Sequence, residues 1–204
     1  MFIAQRTIFK LIFASTIAIG AAHATLLADL DGILLSTDPT QLGRLTRNGI
    51  ASDWSSPKPF PGFINLTTAY RFETFAVNVG GSSFIQIDFD EIGGTANLFA
   101  SAYLNSYNPA SPSTNYLGDP GLSGDFFGVD PQVFQVIVPA NQNVIVVVND
   151  TTSTGAGVGI NFNIKVEGFV DSQFDEIPEP APLWLSGIGL VVLGIRLRRH
   201  GMAG

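Results

Sequence analysis

An all-β, antiparallel β-sandwich, jelly-roll-like in size, is the fold class this sequence predicts, and three observations predict it. Runs of five to eight residues rich in Val, Ile, Phe and Thr recur through the middle of the chain, each bounded by Gly, Asn, Pro or Asp. Several of them alternate apolar and polar residues, and the middle of the chain lacks the 3.6-residue period of an amphipathic helix. The composition agrees. The 204 residues are 46% apolar with 16 Phe, enough for one core, while 22 Gly and 12 Pro supply turns. Only 13% are charged, against about 25% in an average soluble domain, which argues against a disordered polyelectrolyte. The length excludes two large domains.

At the N-terminus, Arg6 and Lys10 precede the apolar stretch Leu11 to Ala22, and Ala22-His23-Ala24 follows with small residues at its outer positions. This three-part pattern predicts a signal peptide over residues 1–24, with cleavage after Ala24 and export of the remainder. The apolar stretch is shorter than the ~20 residues that span a bilayer, which separates it from a retained anchor.

Residues 25–172 form the predicted sandwich. Asp29 and Asp31 read as solvated turn aspartates, and Trp54 sits in a Ser52-Asp53-Trp54-Ser55 turn. From Phe72 to Val79 the apolar face Phe75, Val77 and Val79 recurs at period two; after Gly80-Gly81-Ser82, Ile85, Ile87 and Phe89 continue it, so a hairpin between these two strands is expected. Further strands are predicted over 96–103, 132–138, 144–148 and 161–166. Val144 to Val148 is apolar on both faces, as in a central strand with a covered back. Asn161 to Val166 alternates, as in a strand with one wet face. The exception is the Ser/Asn/Pro/Gly-rich stretch from Tyr103 to Asp130, a long loop of the kind that is usually functional or mobile. Its aromatics Tyr103, Tyr107, Tyr116, Phe126 and Phe127 either anchor the loop to the core or present faces to sugar rings, with anchoring the expected role.

The stretch from Tyr70-Arg71-Phe72 to Gly168-Phe169 resembles the bacterial pre-peptidase C-terminal type of β-sandwich, in its strand, Gly-containing turn, strand ending in acids, Ala96-Asn97-Leu98-Phe99 run and late Val-rich strand. The resemblance implies an accessory module that binds or supports rather than catalyses.

Charge and inventory then exclude several chemistries. The net charge of −7, becoming −11 over residues 25–177 where five cations face sixteen acids, removes the basic footprint of a nucleic-acid binder. With no Cys there is no disulfide, thiolate metal site or cysteine nucleophile. Both histidines, His23 and His200, lie in the terminal segments, so the part between them has no imidazole chemistry. Lys58 lies between Pro57 and Pro59, and Lys165 on an alternating strand; neither context suggests the desolvation that makes a lysine a catalytic base. The remaining candidates are acids. Asp88 and Asp90, on one face of a strand and ~6.6 Å apart by rise, are a poor fit to a glycosidase pair. With Glu91 and the carbonyls of Gly93-Gly94 they are a better fit to a calcium site, since calcium takes six to eight oxygens from flexible loops. Solvating an exposed face is the expected role of such acids, so no cofactor is expected, and calcium is the alternative.

The C-terminus carries Ile177-Pro178-Glu179-Pro180, then the apolar run Leu183 to Ile195, then Arg196, Arg198 and Arg199. A transmembrane helix is predicted there, with the arginines as a cytoplasmic stop and everything before residue 181 outside. The thirteen-residue run gives about 20 Å of helix against a ~30 Å core, a short anchor that snorkelling arginines and Trp184 can extend. The three features in this order resemble the PEP-CTERM sorting signal of Gram-negative bacteria over residues 173–204. That resemblance implies an exosortase-type membrane enzyme as partner, cleavage near Pro178-Glu179-Pro180, a transient inner-membrane anchor, and delivery to the cell surface or extracellular matrix. A non-catalytic exported protein is the expectation, with a module binding polysaccharide or calcium as the alternative and a carboxylate glycosidase as the remaining one.

Overall fold

The computed structural model describes residues 24–93, 97–124 and 131–170. The chain divides into a unit of Ala22–Asp175 and a second of Met1–Ala21 with Glu176–Gly204, the latter outside the described residues. Among the described residues of the first there are nine strands: β1 Thr25–Ile33, β2 Thr40–Leu45, β3 Phe63–Asn78, β4 Phe84–Ile92, β5 Leu98–Leu104, β6 Tyr116–Gly118, β7 Gln132–Ile137, β8 Asn143–Asp150 and β9 Asn161–Phe169. They form two antiparallel sheets, β1-β9-β4-β7 and β2-β3-β8-β5-β6. Without β2, the orders 1-9-4-7 and 3-8-5-6 are those of a jelly roll, in which successive strands cross between sheets.

The core lies between the sheets, where Ile85, Ile87 and Phe89 of β4 and Phe162, Ile164 and Val166 of β9 meet Leu98, Ala100 and Ala102 of β5 and Val144, Val146 and Val148 of β8. Each set recurs at period two because only alternate side chains of a strand point inward. Phe162 packs against Phe75 at 5.8 Å and Phe89 at 6.0 Å, joining three strands through ring contacts. β8 is a central strand, between β3 and β5. Its second face is apolar because Val147 and Ile145 are covered by Phe72, Tyr103, Tyr107 and Tyr116.

The expected hairpin between residues 72–79 and 84–89 does not form. β3 pairs with β2 and β8, whereas β4 pairs with β7 and β9 in the other sheet. Period-two alternation fixes which face of a strand is buried but not which strand it pairs with, and here the two apolar faces meet across the core. The 79–83 segment carries the chain between sheets: Val79 N–H donates to Gln142 O at 2.9 Å on one side, and Ser83 N–H to Phe169 O at 3.0 Å on the other.

Asp29 and Asp31 are also placed differently from expectation. They lie within β1, on its exposed face, and not in a turn. The long 103–130 segment contains β6 and is tied back by Leu104 N–H to Asn115 O at 2.7 Å and by the Asn115 amide to Ser106 Oγ at 3.0 Å.

Candidate functional site

Pro178, Glu179 and Pro180, Arg196, Arg198 and Arg199, Ala22, and the predicted C-terminal helix lie outside the described residues. So do Phe126 and Phe127. Ala24 is the first described residue, and β1 begins at Thr25.

The acidic candidates separate. Asp88 and Asp90 point outward from β4 while Glu91, one residue on, points inward and is fully buried. Its carboxylate accepts Leu98 N–H at 2.7 Å and Asn97 N–H at 3.2 Å. A strand cannot bring consecutive side chains to one face, so Glu91 does not join Asp88 and Asp90. No group of three His, Cys, Asp or Glu side chains converges among the described residues. The outward acids instead form part of a polar sheet face. Lys165 of β9 lies beside Asp29 of β1 and Asp88 of β4 in the strand register and pairs with Glu167 at 2.6 Å. Partial burial pushes the Asp88 carboxyl above the ordinary carboxylate range, against the pull of the Gln86 amide and Lys165. The hydrogen bond to Glu167 holds the Lys165 ammonium above its usual value.

The aromatics of the long loop are anchors. Tyr103 is fully buried, with Tyr107 at 4.6 Å and Tyr116 at 5.8 Å between ring centres; Phe72 and Phe60 close the cluster against Tyr107 and Tyr116. The Tyr107 hydroxyl donates to Gln41 Oε1 and the Tyr116 hydroxyl to Asp119 Oδ2. Burial pushes all three phenols upward, so they stay protonated, with Tyr107 and Tyr116 as donors.

Asp119 is the centre of a network that the sequence did not reveal. Its carboxylate is fully buried and takes the Lys58 ammonium at 2.6 Å, the Tyr116 hydroxyl and Gly121 N–H at 2.6 Å. Lys58, whose place between Pro57 and Pro59 suggested no desolvation, has a side chain only 6% exposed that also donates to Ile50 O and Asn48 Oδ1. The 46–60 segment is thereby strapped onto the 116–124 segment, with Ser52 N–H to Asp119 O at 2.9 Å and Gly49 N–H to Gly121 O at 3.1 Å as further ties. Proline on either side of Lys58 and the Gly118-Asp119-Pro120-Gly121 turn were visible signals. Their partnership, across 61 residues, was not.

The strap requires glycine at 121. Its φ is +77°, and a Cβ would lie 2.4 Å from Ile50 N. Gly49 has a similar φ of +75° but faces open space. Gly121→Ala is therefore expected to cost more than the ~1–3 kcal/mol of left-handed strain alone, and Gly49→Ala no more than that strain. Parallel urea melts check this; equal losses would mean the strap moves aside without cost.

Beside the strap, Arg47, Gly49, Leu122 and Ser123 line a pocket of about 380 Å³. Arg47 Nη1 donates to Ser123 Oγ at 2.5 Å. Burial and the neighbouring Arg44 both pull the Arg47 guanidinium below its usual value.

The described residues thus form an all-β sandwich, and the chain continues into a sorting segment. Residues 176–199 match the PEP-CTERM protein-sorting motif, which marks an exported protein processed at the membrane by an exosortase. No curated protein matches the chain. Among solved structures, the chain is similar to the CBM35 from Cellvibrio japonicus Abf62, at 14% identity and a TM-score of 0.29, over 68% of this chain and 92% of that one.

Proposed function

We propose that this is a non-catalytic exported protein displayed at the cell surface or in the extracellular matrix, including the biofilm matrix of a Gram-negative bacterium. Residues 1–24 direct export, 25–172 are the displayed sandwich, and 173–204 are the sorting signal. The apolar run holds the chain in the inner membrane transiently, with Arg196, Arg198 and Arg199 on the cytoplasmic side. An exosortase then cuts near Pro178-Glu179-Pro180 and releases the acidic domain.

The observation that carries this reading is the sorting-motif match at residues 176–199, directly after a self-contained unit ending at Asp175. A first strand starting at Thr25, next to the predicted cleavage site, is consistent with it. Among the described acids, Asp119 and Glu91 accept structural hydrogen bonds and Asp88 and Asp90 lie on an outer sheet face, an arrangement that fits display.

The test is the intact mass and membrane association of the protein recovered from its own cells. The expected species begins at Thr25, ends near Pro178 to Pro180 and leaves the inner membrane. A mass running to Gly204 in the membrane fraction would replace release by permanent anchoring.

A further inference from the structure

Arginine in an acidic protein ordinarily finds a carboxylate. Residues 25–177 hold sixteen acids and five cations, so partners are abundant. Among the described residues the ion pairs are Lys58 with Asp119 and Lys165 with Glu167. Arg71 donates to Asp38 O instead. Among the described residues, neither Arg44 nor Arg47 has a carboxylate partner. The Arg44 Nε is buried without any hydrogen-bond partner, and its Nη1 reaches only Leu45 O at 3.2 Å.

Two neighbouring guanidiniums, partly desolvated and repelling each other, are costly to keep in an acidic domain. An anion entering the pocket removes that cost. The pocket is built to receive one, because the strap that carries Arg47 is fixed to the 119–124 segment by the buried Lys58–Asp119 pair and the Gly49–Gly121 hydrogen bond. Such fixing lowers the ordering cost of binding. Ser123 is fully buried, and its Oγ accepts from Arg47, which fixes the guanidinium at the pocket wall.

We propose that this pocket binds the carboxylate of an acidic polysaccharide, with Arg47 holding the oxyanion, the buried Ser123 fixing the Arg47 side chain, and Arg44 supplying further positive potential. A planar guanidinium matches a carboxylate in bidentate geometry. About 380 Å³ is at the lower end of small-molecule sites, room for a sugar unit but not a folded partner. Leu122 offers the apolar side against which a sugar ring lies. The choice of a saccharide rests on the extracellular-matrix reading above, whereas the oxyanion chemistry rests on the pocket alone.

The test is calorimetric titration of the protein purified from its own cells with trigalacturonate, with the same oligomer after carboxyl reduction, and with inorganic phosphate. The acidic oligomer is expected to bind and the reduced one to bind at least ~10-fold more weakly, since a charge-assisted hydrogen bond contributes about 1.5–3 kcal/mol. Arg47→Gln is expected to lose about tenfold or more in affinity. Arg47→Lys should recover part of it, and Arg44→Gln should weaken binding less than Arg47→Gln. Circular dichroism of each variant confirms the fold. Affinity should fall with added salt. Equal binding of the acidic and reduced oligomers, no binding of either, or an unchanged affinity in a folded Arg47→Gln overturns the proposal. Phosphate binding as tightly as the oligomer overturns the saccharide assignment and leaves a small-anion site. Retention of the residue 204 terminus, measured separately by mass, sinks the sorting reading without altering this result.

Discussion

Asp119→Ala is expected to lower the unfolding free energy by about 3–5 kcal/mol, because removing one partner of a buried ion pair leaves the other charged and uncompensated. For a domain of this size that corresponds to a fall of roughly 10 °C or more in Tm. The substitution strips a partner from three donors at once: the Lys58 ammonium, the Tyr116 hydroxyl and Gly121 N–H. Lys58→Met should cost less, since Asp119 keeps the other two donors. The double variant Lys58→Met with Asp119→Ala should recover part of the loss, since no charge is left buried alone, while the Tyr116 hydroxyl and Gly121 N–H still lack their acceptor. A double-mutant cycle by urea denaturation measures the coupling. Single losses below ~1 kcal/mol would show that the strap is held by its backbone hydrogen bonds and not by the pair. A loosened strap should also cost the Arg47 pocket its affinity, because Gly49 and Ser123 then lose their fixed separation.

What the sequence made legible was face, not partnership. The period-two apolar sets of β3, β4 and β9 gave the inward residues correctly, and the doubly apolar Val144 to Val148 gave a central strand. The pairing of β3 with β4 was wrong, since alternation is identical whether two strands share a sheet or face each other. β1 was hidden because Asp29, Asp31 and Gly32 read as a turn, yet the aspartates only mark its wet face. Gly32 lies against Phe162, where an added Cβ would stand 2.4 Å from the ring. β2 was hidden by Gly43 at φ +78° and by a bulge against β3 between Leu42 and Arg44. At the site, Lys58 was read as lacking desolvation whereas its side chain is buried, and Arg47 carried no local signal. Both depend on contacts closed over tens of residues, Arg47 to Ser123 across 76.

Glu91 shows where stricter use of the same rule reaches further. If Asp88 and Asp90 face water, Glu91 must face the core, and a buried glutamate needs donors. It finds them in Leu98 and Asn97, whose carbonyls in turn receive Gly124 N–H at 3.0 Å and Thr151 N–H at 2.8 Å. One carboxylate therefore organises β4, β5 and the segments after residues 119 and 150 at one end of the sandwich. Glu91→Ala is expected to cost about 2–5 kcal/mol, since each buried N–H deprived of its acceptor costs about 1–3 kcal/mol. Glu91→Gln, which keeps one acceptor oxygen, should cost about half as much. Asp90→Asn, on the outer face, should change stability by no more than ~0.5 kcal/mol. Thermal melts of the three variants in chelator and in millimolar calcium decide between a structural anchor and a metal ligand. As an anchor, Glu91 gives the same loss under both conditions. As a ligand, it gives a loss that appears only with calcium and is shared by Asp90→Asn, an outcome that would require the strand end to rearrange so that both carboxylates reach one ion.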